Sequence, residues 1–489
     1  MSNKLVFTDR ILDNVHGFIY YTAAEKKIIE SSLFKRLQSI KQLSIVNWVF
    51  PGSEHTRYIH SLGVMYIADK IATQLKLPDK DRKIIRMAGL LHDIGHYPLS
   101  HVCEYPYKTS LDFFYDDNFI KERNEAVMRN INSLLDNKPS EYMKKSDGFH
   151  HERIGASIVL NNKEIKKVIV DECGKNAPDI IADMITGNIE RDNTDPLFVQ
   201  ILHSELDADG IDYLMRDAMF SGTSFGSFEL DQLIGCMDIG EKNGKRILCI
   251  KPKGIAAADQ YLINKFFSYS QVVYNKHISI TEFMAQQIVD WMQKNNAFFP
   301  TNETLYKWVA SKSTEEKYVR FTDNFFWASL QNILTDPLKD TEPKIIKCFC
   351  ERLLGHMELE YKVNSEVKII SSDLNEIQEF IKESQTFKNL NNSNSEISIL
   401  SLHRMSKQIP LKEYEKQVIN KDDKTKTFPD DASLDEDIIE QLHSRRLMEC
   451  ICIKEEDGSI NLLCDDRRSL MHTLYGMTLA ILRTYKINI

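Results

Sequence analysis

No apolar run in this chain reaches the roughly 18 residues that a bilayer-crossing helix needs, so a membrane-spanning helix is not expected. No Cys-x-x-Cys pair occurs among the nine cysteines, which read as reduced, mostly core thiols. Cys348 with Cys350, and Cys450 with Cys452, alternate as residues of a strand do, and are expected to pack in a core rather than bind metal. The opening MSNKLVFTDRILD lacks the charged-then-apolar pattern of a signal peptide, so a cytoplasmic protein is expected. Nor is there an excess of positive charge: 62 Lys and Arg stand against 71 Asp and Glu, a net −9. That argues against a general nucleic-acid coat and leaves room for a local basic pocket that takes a phosphorylated small molecule. Nucleic-acid and protein partners otherwise stay open. Internal repeats and low-complexity tracts are absent. With 489 residues, 42% of them hydrophobic and 27% charged, the chain has the balance of a soluble globular protein of two or three units.

Gly and Pro are missing from two long stretches, Ala23 to Val46 and Ile255 to Asn296. The first carries Ile28, Leu33, Leu37, Ile40 and Leu43 at near-helical spacing and predicts a helix. The second predicts one long or broken helix. Between them, helices are expected from Arg57 to Lys76, Asp81 to Ile94, near His151, and Pro196 to Met219. Gly63 inside the first of these costs about 1 kcal/mol relative to Ala, tolerable where another backbone packs closely. Tyr105 to Phe149 reads as a polar, aromatic-rich lobe. After Pro300 the character changes. Glu366 to Ser371 and Leu447 to Leu463 hold short alternating runs, with Asp457-Gly458 fitting a hairpin turn. Ser406 to Gln441 is charged, poor in aromatics and read as a mobile segment. Ser469 to Tyr485 reads as an apolar helix. The expected fold is mainly α, with a helical core over residues 1–300 and a smaller α+β region over 301–489.

The densest chemistry lies in His92-Asp93-Ile94-Gly95-His96-Tyr97-Pro98-Leu99-Ser100-His101. An adjacent His and Asp set a nitrogen and an oxygen ligand side by side, which suits a divalent transition metal rather than calcium. Apolar residues lead up to the pair, and Gly95 and Pro98 punctuate the residues after it, as when a helix ends on its ligands and turns. Seven of the 14 histidines fall between His55 and His151, a clustering that carries weight only through the motifs around it. His60 could join His92 and Asp93, or could cap or pack. Arg57, one turn earlier on the same face, would suit a phosphate clamp or a surface ion pair. On a helix, Asp209, Tyr213 and Asp217 form one stripe; a solvated acidic helix is the plain alternative.

HTRYIHSLG, HDIGHYPLSH, HHE and LDADGIDYLMRD, in this order, resemble the HD-domain deoxynucleoside triphosphate triphosphohydrolases. That family includes bacterial dGTPases and an animal enzyme with an appended sterile alpha motif, for which this chain has no room before its first motif. FKRLQSIKQL, SGTSFGSFELDQLI and VVYNKH also match, so the resemblance spans about residues 10 to 290. It implies an HD-domain phosphohydrolase core that cleaves a deoxynucleoside triphosphate to deoxynucleoside and inorganic triphosphate. It also implies one divalent transition metal (Fe, Mn, Zn, Co or Ni) held by His60, His92, Asp93 and Asp209, with Mg on the substrate phosphates. His96 resembles the histidine over the α-phosphate. His101 with Glu104 resembles a His-carboxylate pair at the leaving oxygen, although the family usually has Asp at position 104. His151, rather than His150, resembles another phosphate-side histidine. Gln42, Leu43, Tyr213, Asp217 and Tyr274 match the deoxyribose pocket, where bulk against C2′ leaves no volume for a hydroxyl.

Two positions depart from the family. Gly210 stands where a Lys or Arg normally grips the triphosphate, and Phe266 where an Arg is usual, with Lys265 beside it as a substitute. A triphosphate carries about four negative charges, so losing two cations weakens its hold. The departures favour, as an alternative, an HD phosphohydrolase or phosphodiesterase acting on a monophosphate, a cyclic nucleotide or a short oligonucleotide. A non-catalytic nucleotide sensor is a third option. The resemblance further implies a homo-oligomer and a nucleotide activator at a second site, although Gln38 stands where one member carries a regulatory Arg. Some relatives restrict viruses by depleting dNTPs, a role that comes here by analogy alone.

Overall fold

The computed structural model describes residues 4–109, 151–188, 194–204, 206–242, 244–273, 275–295, 299–310, 312–335, 344–356, 452–454 and 460–462. These residues are mainly helical, with one two-stranded and one four-stranded sheet. Tyr274, Cys450, the part of the Tyr105–Phe149 lobe after Thr109, and the predicted elements at 366–371, 406–441 and 469–485 lie outside them, while Tyr105 to Thr109 close the helix His101–Thr109. None of the described helices is long and apolar enough to cross a membrane.

The chain opens with an antiparallel hairpin, Asp9–Asp13 against Gly17–Tyr21. Asp13 makes its turn: Oδ1 accepts the N–H groups of Val15 (3.0 Å) and His16 (2.9 Å), and Gly17 follows at φ +71°. Ile19 is fully buried, whereas Leu12, Phe18 and Tyr20 face out. The continuous helix expected from Ala23 to Val46 is instead Ala23–Ile29, Ser32–Lys35 and two 3-10 turns, Arg36–Ser39 and Val46–Trp48. Hydrogen-bonding side chains override the apolar spacing. Thr22 and Glu25 form a capping box at the first helix, and Ser31 starts the second by accepting the Phe34 N–H.

Two helices carry the first ligands. Arg57–Gln74 and Asp79–Leu91 cross so closely that a Cβ on Gly89 would lie 3.1 Å from the Met65 backbone. His92 caps the end of the second helix. The next turn is strained, since Leu99 (φ 49°) and Ser100 (φ 53°) are both left-handed without being glycine. A later part of the chain holds it. Asp323 Oδ1 accepts the Leu99 N–H (2.7 Å) and Oδ2 the Lys41 N–H (2.9 Å). Arg36 bridges the Phe321 and His96 carbonyls.

His151–Asn161 begins where expected. The helix predicted from Pro196 to Met219 is two, Pro196–Leu202 and Ala208–Ser221. The break comes from Asp207, which caps the second helix by accepting the Gly210 N–H (2.6 Å) while also accepting from Ser204 N–H (2.8 Å). The stretch from Ile255 is broken as foreseen, into Ile255–Ser268, a π-helical turn at Tyr269–Val273, and Lys276–Lys294. One apolar core runs from Ile19 to Leu353, with Phe299, Phe321 and Phe326 among its buried rings. Cys348 and Cys350 lie on the helix Lys344–Leu354, not on a strand. The amphipathic KIIKCFCERLL face decides the matter, and Cys350 is buried in the core. The four-stranded sheet sets Met237–Lys242 against Lys245–Ile250, adds Cys452–Lys454 in parallel and ends with Ile460–Leu462. The last two pair antiparallel, Cys452 opposite Leu462, as the alternation there predicts.

Candidate metal centre

His60 comes from the first turn of Arg57–Gln74, His92 and Asp93 from the end of Asp79–Leu91, and Asp209 from the first turn of Ala208–Ser221. The ligand atoms of His60, His92 and Asp209 converge, and Asp93 lies beside them, 3.8 Å from His60 Nε2 through Oδ2. His60 Nε2 lies 3.3 Å from His92 Nε2 and 2.9 Å from Asp209 Oδ1. His92 Nε2 lies 3.5 Å from Asp93 Oδ1 and 3.6 Å from Asp209 Oδ1. The His60 and His92 rings meet edge to face. Asp209, with 37% of its side chain exposed, marks the open side.

The outer partners fix what these rings can do. His92 Nδ1 donates to the Gly89 carbonyl (2.8 Å) and His60 Nδ1 to Asp212 Oδ2 (2.7 Å). In their neutral forms both rings therefore turn Nε2 lone pairs inward, 3.3 Å apart and beside carboxylates. That arrangement calls for a shared cation, and a nitrogen-and-carboxylate set of this kind fits a divalent transition metal. Without one, burial disfavours a charged His60, but Asp209 and Asp212 outweigh it and lift the imidazole to about 10. Burial likewise opposes the Asp93 carboxylate, and Arg57 with the nearby imidazoles holds it below its usual range all the same.

A second group adjoins the first. His101 Nδ1 and His151 Nδ1 lie 2.7 and 3.0 Å from the two oxygens of buried Glu104. The rings of His96 and His151 stack at 4.1 Å. Glu104 raises the His151 imidazole against the effect of burial, and the two histidines hold Glu104 well below its usual range. His96 is different. Burial, then Arg57, pushes it well below its ordinary value, so it is neutral. Its Nδ1 accepts the Tyr97 N–H (3.2 Å), which leaves the ring proton on Nε2. That Nε2 is buried and has no partner among the described residues. It lies 3.9 Å from Asp93 Oδ1, and ring nitrogens of His96, His101 and His151 come close enough to form a second group that could hold an ion.

The remaining candidates divide. Gln42 is buried, its Oε1 without a hydrogen-bond partner among the described residues, and Leu43 packs on the cluster of Val46, Val272 and Ile278. Tyr213 faces Tyr269, hydroxyl to hydroxyl 3.3 Å. Asp217 is held by buried His55 at 2.7 Å. Lys265 sits 5.9 Å from the Tyr261 ring centre. Arg57, read as a phosphate clamp or a surface ion pair, is buried and engaged within the protein through each of its nitrogens. Nη1 donates to Asp93 (2.8 Å), Nε to Ser100 Oγ (2.9 Å) and Nη2 to the Gln42 carbonyl (3.3 Å), so the guanidinium braces the centre from inside. Gly63 gives room not to a backbone but to two side chains: a Cβ there would lie 1.9 Å from Asp212 Oδ1 and 2.4 Å from Arg216 Nη2.

Sequence reasoning missed Asp212, His16, His55, Tyr269 and Asp323. Asp212 had a signal, since it lies three residues from Asp209 and four from Arg216 on the acidic helix. His16, some 196 residues from its partner, had none.

The sequence pattern of the HD domain family matches residues 57–214. An uncharacterized protein of Mycoplasma pneumoniae is 28% identical over 374 residues, covering 73% of this chain and 79% of that one. The deoxynucleoside triphosphate triphosphohydrolase SAMHD1 of Gallus gallus is 25% identical over 338 residues, covering 64% of this chain and 50% of that one. A solved phosphohydrolase structure from Bacteroides thetaiotaomicron shares the fold, with a TM-score of 0.58 at 20% identity over 96% of each chain. The converging histidines and aspartates and the matched sequence coincide, and residues 57–214 are an HD domain.

Proposed function

We propose that this protein is a metal-dependent phosphohydrolase that cleaves a deoxynucleoside triphosphate to a deoxynucleoside and inorganic triphosphate. One observation carries the reading: two adjacent imidazole groups have opposite proton demands. His60 and His92 turn lone pairs inward for a cation, while His96 turns a buried N–H inward for an anion. A cation site beside an anion site is what a phosphoryl group at a metal requires. The relationship to the Gallus gallus enzyme supports the deoxynucleotide class.

A divalent transition metal held by His60, His92, Asp93 and Asp209 would polarise the phosphoryl group and lower the pKa of a nearby water. In the reaction the water oxygen bonds to the α-phosphorus while the bond from phosphorus to the 5′ oxygen breaks. His96 Nε2–H steadies a phosphoryl oxygen, and His151 adds a second imidazole beside it. His101, oriented through Nδ1 by Glu104, holds a proton on Nε2 only as the imidazolium, which Glu104 favours and burial opposes; in that form it delivers the proton to the departing 5′ oxygen. Leu43 and the Tyr213–Tyr269 pair wall the sugar, while Gln42 and Asp217 offer acceptors to its hydroxyl. A nucleotide activator and a homo-oligomeric assembly belong to the same reading.

The test is a product-resolved screen of all dNTPs on metal-loaded protein, with and without other nucleotides as activators. Deoxynucleoside and triphosphate are expected. No deoxynucleoside from any dNTP would refute the reading.

A second reading draws on Gly210. A Cβ there would lie 2.4 Å from Tyr261 Oη, so a phenol fills the space a triphosphate-gripping cation would enter. This favours a less charged nucleotide. A large kcat/KM preference for a monophosphate, cyclic or oligonucleotide substrate over every dNTP would support it.

A further inference from the structure

Asp212 is fully buried, and each of its oxygens receives two donors. Oδ2 takes His60 Nδ1 (2.7 Å) and Arg216 Nε (2.9 Å). Oδ1 takes His16 Nε2 (2.5 Å) and Arg216 Nη2 (2.9 Å). Arg216 reaches on to both oxygens of Asp13 (2.8 and 3.2 Å), the residue that makes the turn of the N-terminal hairpin. The His16 ring stacks on Tyr66 at 5.1 Å, on the same helix as His60. One carboxylate thus joins the hairpin turn to the ring that faces the cation site.

We propose that His16 is a positioning residue of the metal centre, and that the Asp13–His16 turn belongs to that centre structurally. His16 touches no ligand atom; it acts through Asp212. Removing its N–H leaves Oδ1 with one donor in a buried site, where a carboxylate cannot recover the loss from water. Asp212 then re-aims toward its remaining partners, and the His60 ring it orients follows. A partner bonded directly to a ligating ring, as Asp212 is to His60, changes metal affinity about 10- to 100-fold, and His16 acts on that partner. Coupling is reciprocal: whatever the hairpin contributes to metal binding, bound metal returns to the order of the hairpin. This inference rests on the metal centre and not on the identity of the substrate.

The test uses the full chain with manganese(II) as probe, free metal being read by electron paramagnetic resonance. His16→Phe keeps a ring for Tyr66 and removes the donor; His16→Gln supplies an amide N–H at a similar reach. His16→Phe is expected to bind manganese at least tenfold more weakly, and His16→Gln within threefold of the native protein. Amide exchange of the peptide spanning Asp13 to Tyr21 is expected to slow when manganese is added to the native protein. A His16→Phe loss below tenfold overturns the proposal. If that variant does not fold, the native exchange experiment decides, and unchanged hairpin exchange overturns it. Native protein that takes up no manganese, zinc or iron overturns both the proposal and the metal centre, whereas failure on every nucleotide leaves it standing.

Discussion

His55 Nε2 lies 2.7 Å from Asp217 Oδ1, a buried pair that ties the turn before the His60 helix to the helix that carries Asp209. The His55 ring also stacks on Phe220 at 4.7 Å. His55→Phe should keep the stack and lose the bond, which is worth about 1.5–3 kcal/mol when one partner is charged. If Asp217 meets a sugar hydroxyl, the variant will raise KM for a deoxynucleotide more than it lowers kcat. It will also narrow the preference for a substrate with a 3′-hydroxyl over its 3′-deoxy analogue. Equal losses on both analogues would show that His55 only supports the fold.

Gly63→Ala should destabilise the protein although alanine is the better helix former by about 1 kcal/mol. The added methyl needs the place of Asp212 Oδ1, which would lie 1.9 Å away, and overpacking of this kind costs about 1–3 kcal/mol. Calorimetry should show a lower Tm, and metal titration a weaker site, because the displaced carboxylate orients His60.

Gly210→Ala should also lower Tm, and Tyr261→Phe should restore part of the loss. The phenol oxygen is the nearest obstacle at 2.4 Å, whereas the ring carbon behind it lies at an ordinary 3.7 Å; Asp207 Oδ1 at 2.9 Å keeps the rescue partial. A double-mutant cycle with no coupling would mean that Tyr261 does not fill this space.

Asp323 gives a pH signature. Burial outweighs its two backbone hydrogen bonds and pushes its carboxyl up to about 6. A folded value above the unfolded one favours the protonated form. Its contribution is full below about pH 4 and declines as pH rises through about 6. Asp323→Asn cannot ionise, so its stability relative to the native protein should improve between pH 4 and pH 7 in urea titrations. Because Asp323 also anchors Leu99 ahead of His101, the variant should lose activity while keeping its metal.

Removing metal should lower Tm, and restoring a divalent transition metal should raise it again, adding about 2.7 kcal/mol of stability at a hundredfold excess over Kd. Asp93→Ala should cost more than metal removal, because it leaves Arg57 charged and buried without its carboxylate. Equal thermal scans with and without chelator would count against the centre.

The site was legible wherever its chemistry is written in adjacent residues. His92-Asp93 ends a helix, His60 opens one, and Asp209, Tyr213 and Asp217 recur at helical spacing, so local pattern was enough to nominate them. The supporting residues were not legible for the same reason in reverse. His16 and Asp323 act across 196 and 224 residues of chain, and no local pattern encodes such pairings. The helix boundaries missed at Ser31 and Asp207 share a cause. A side-chain oxygen that captures a backbone N–H stops a helix whatever the apolar spacing says, and serine and aspartate do this only where the tertiary structure lets them.

Gly89 gives the close helix crossing a consequence of its own. The spacing between the segments that bear His60 and His92 is set by main chain resting on main chain, at a contact where a Cβ would already be 3.1 Å from Met65. Substitutions in the surrounding apolar core can drift, trading one branched side chain for another, without changing that gap. The aperture of the site is therefore insulated from the ordinary turnover of core residues. A side chain at Gly89, by contrast, would press on that main chain directly and part the segments that carry the two histidines.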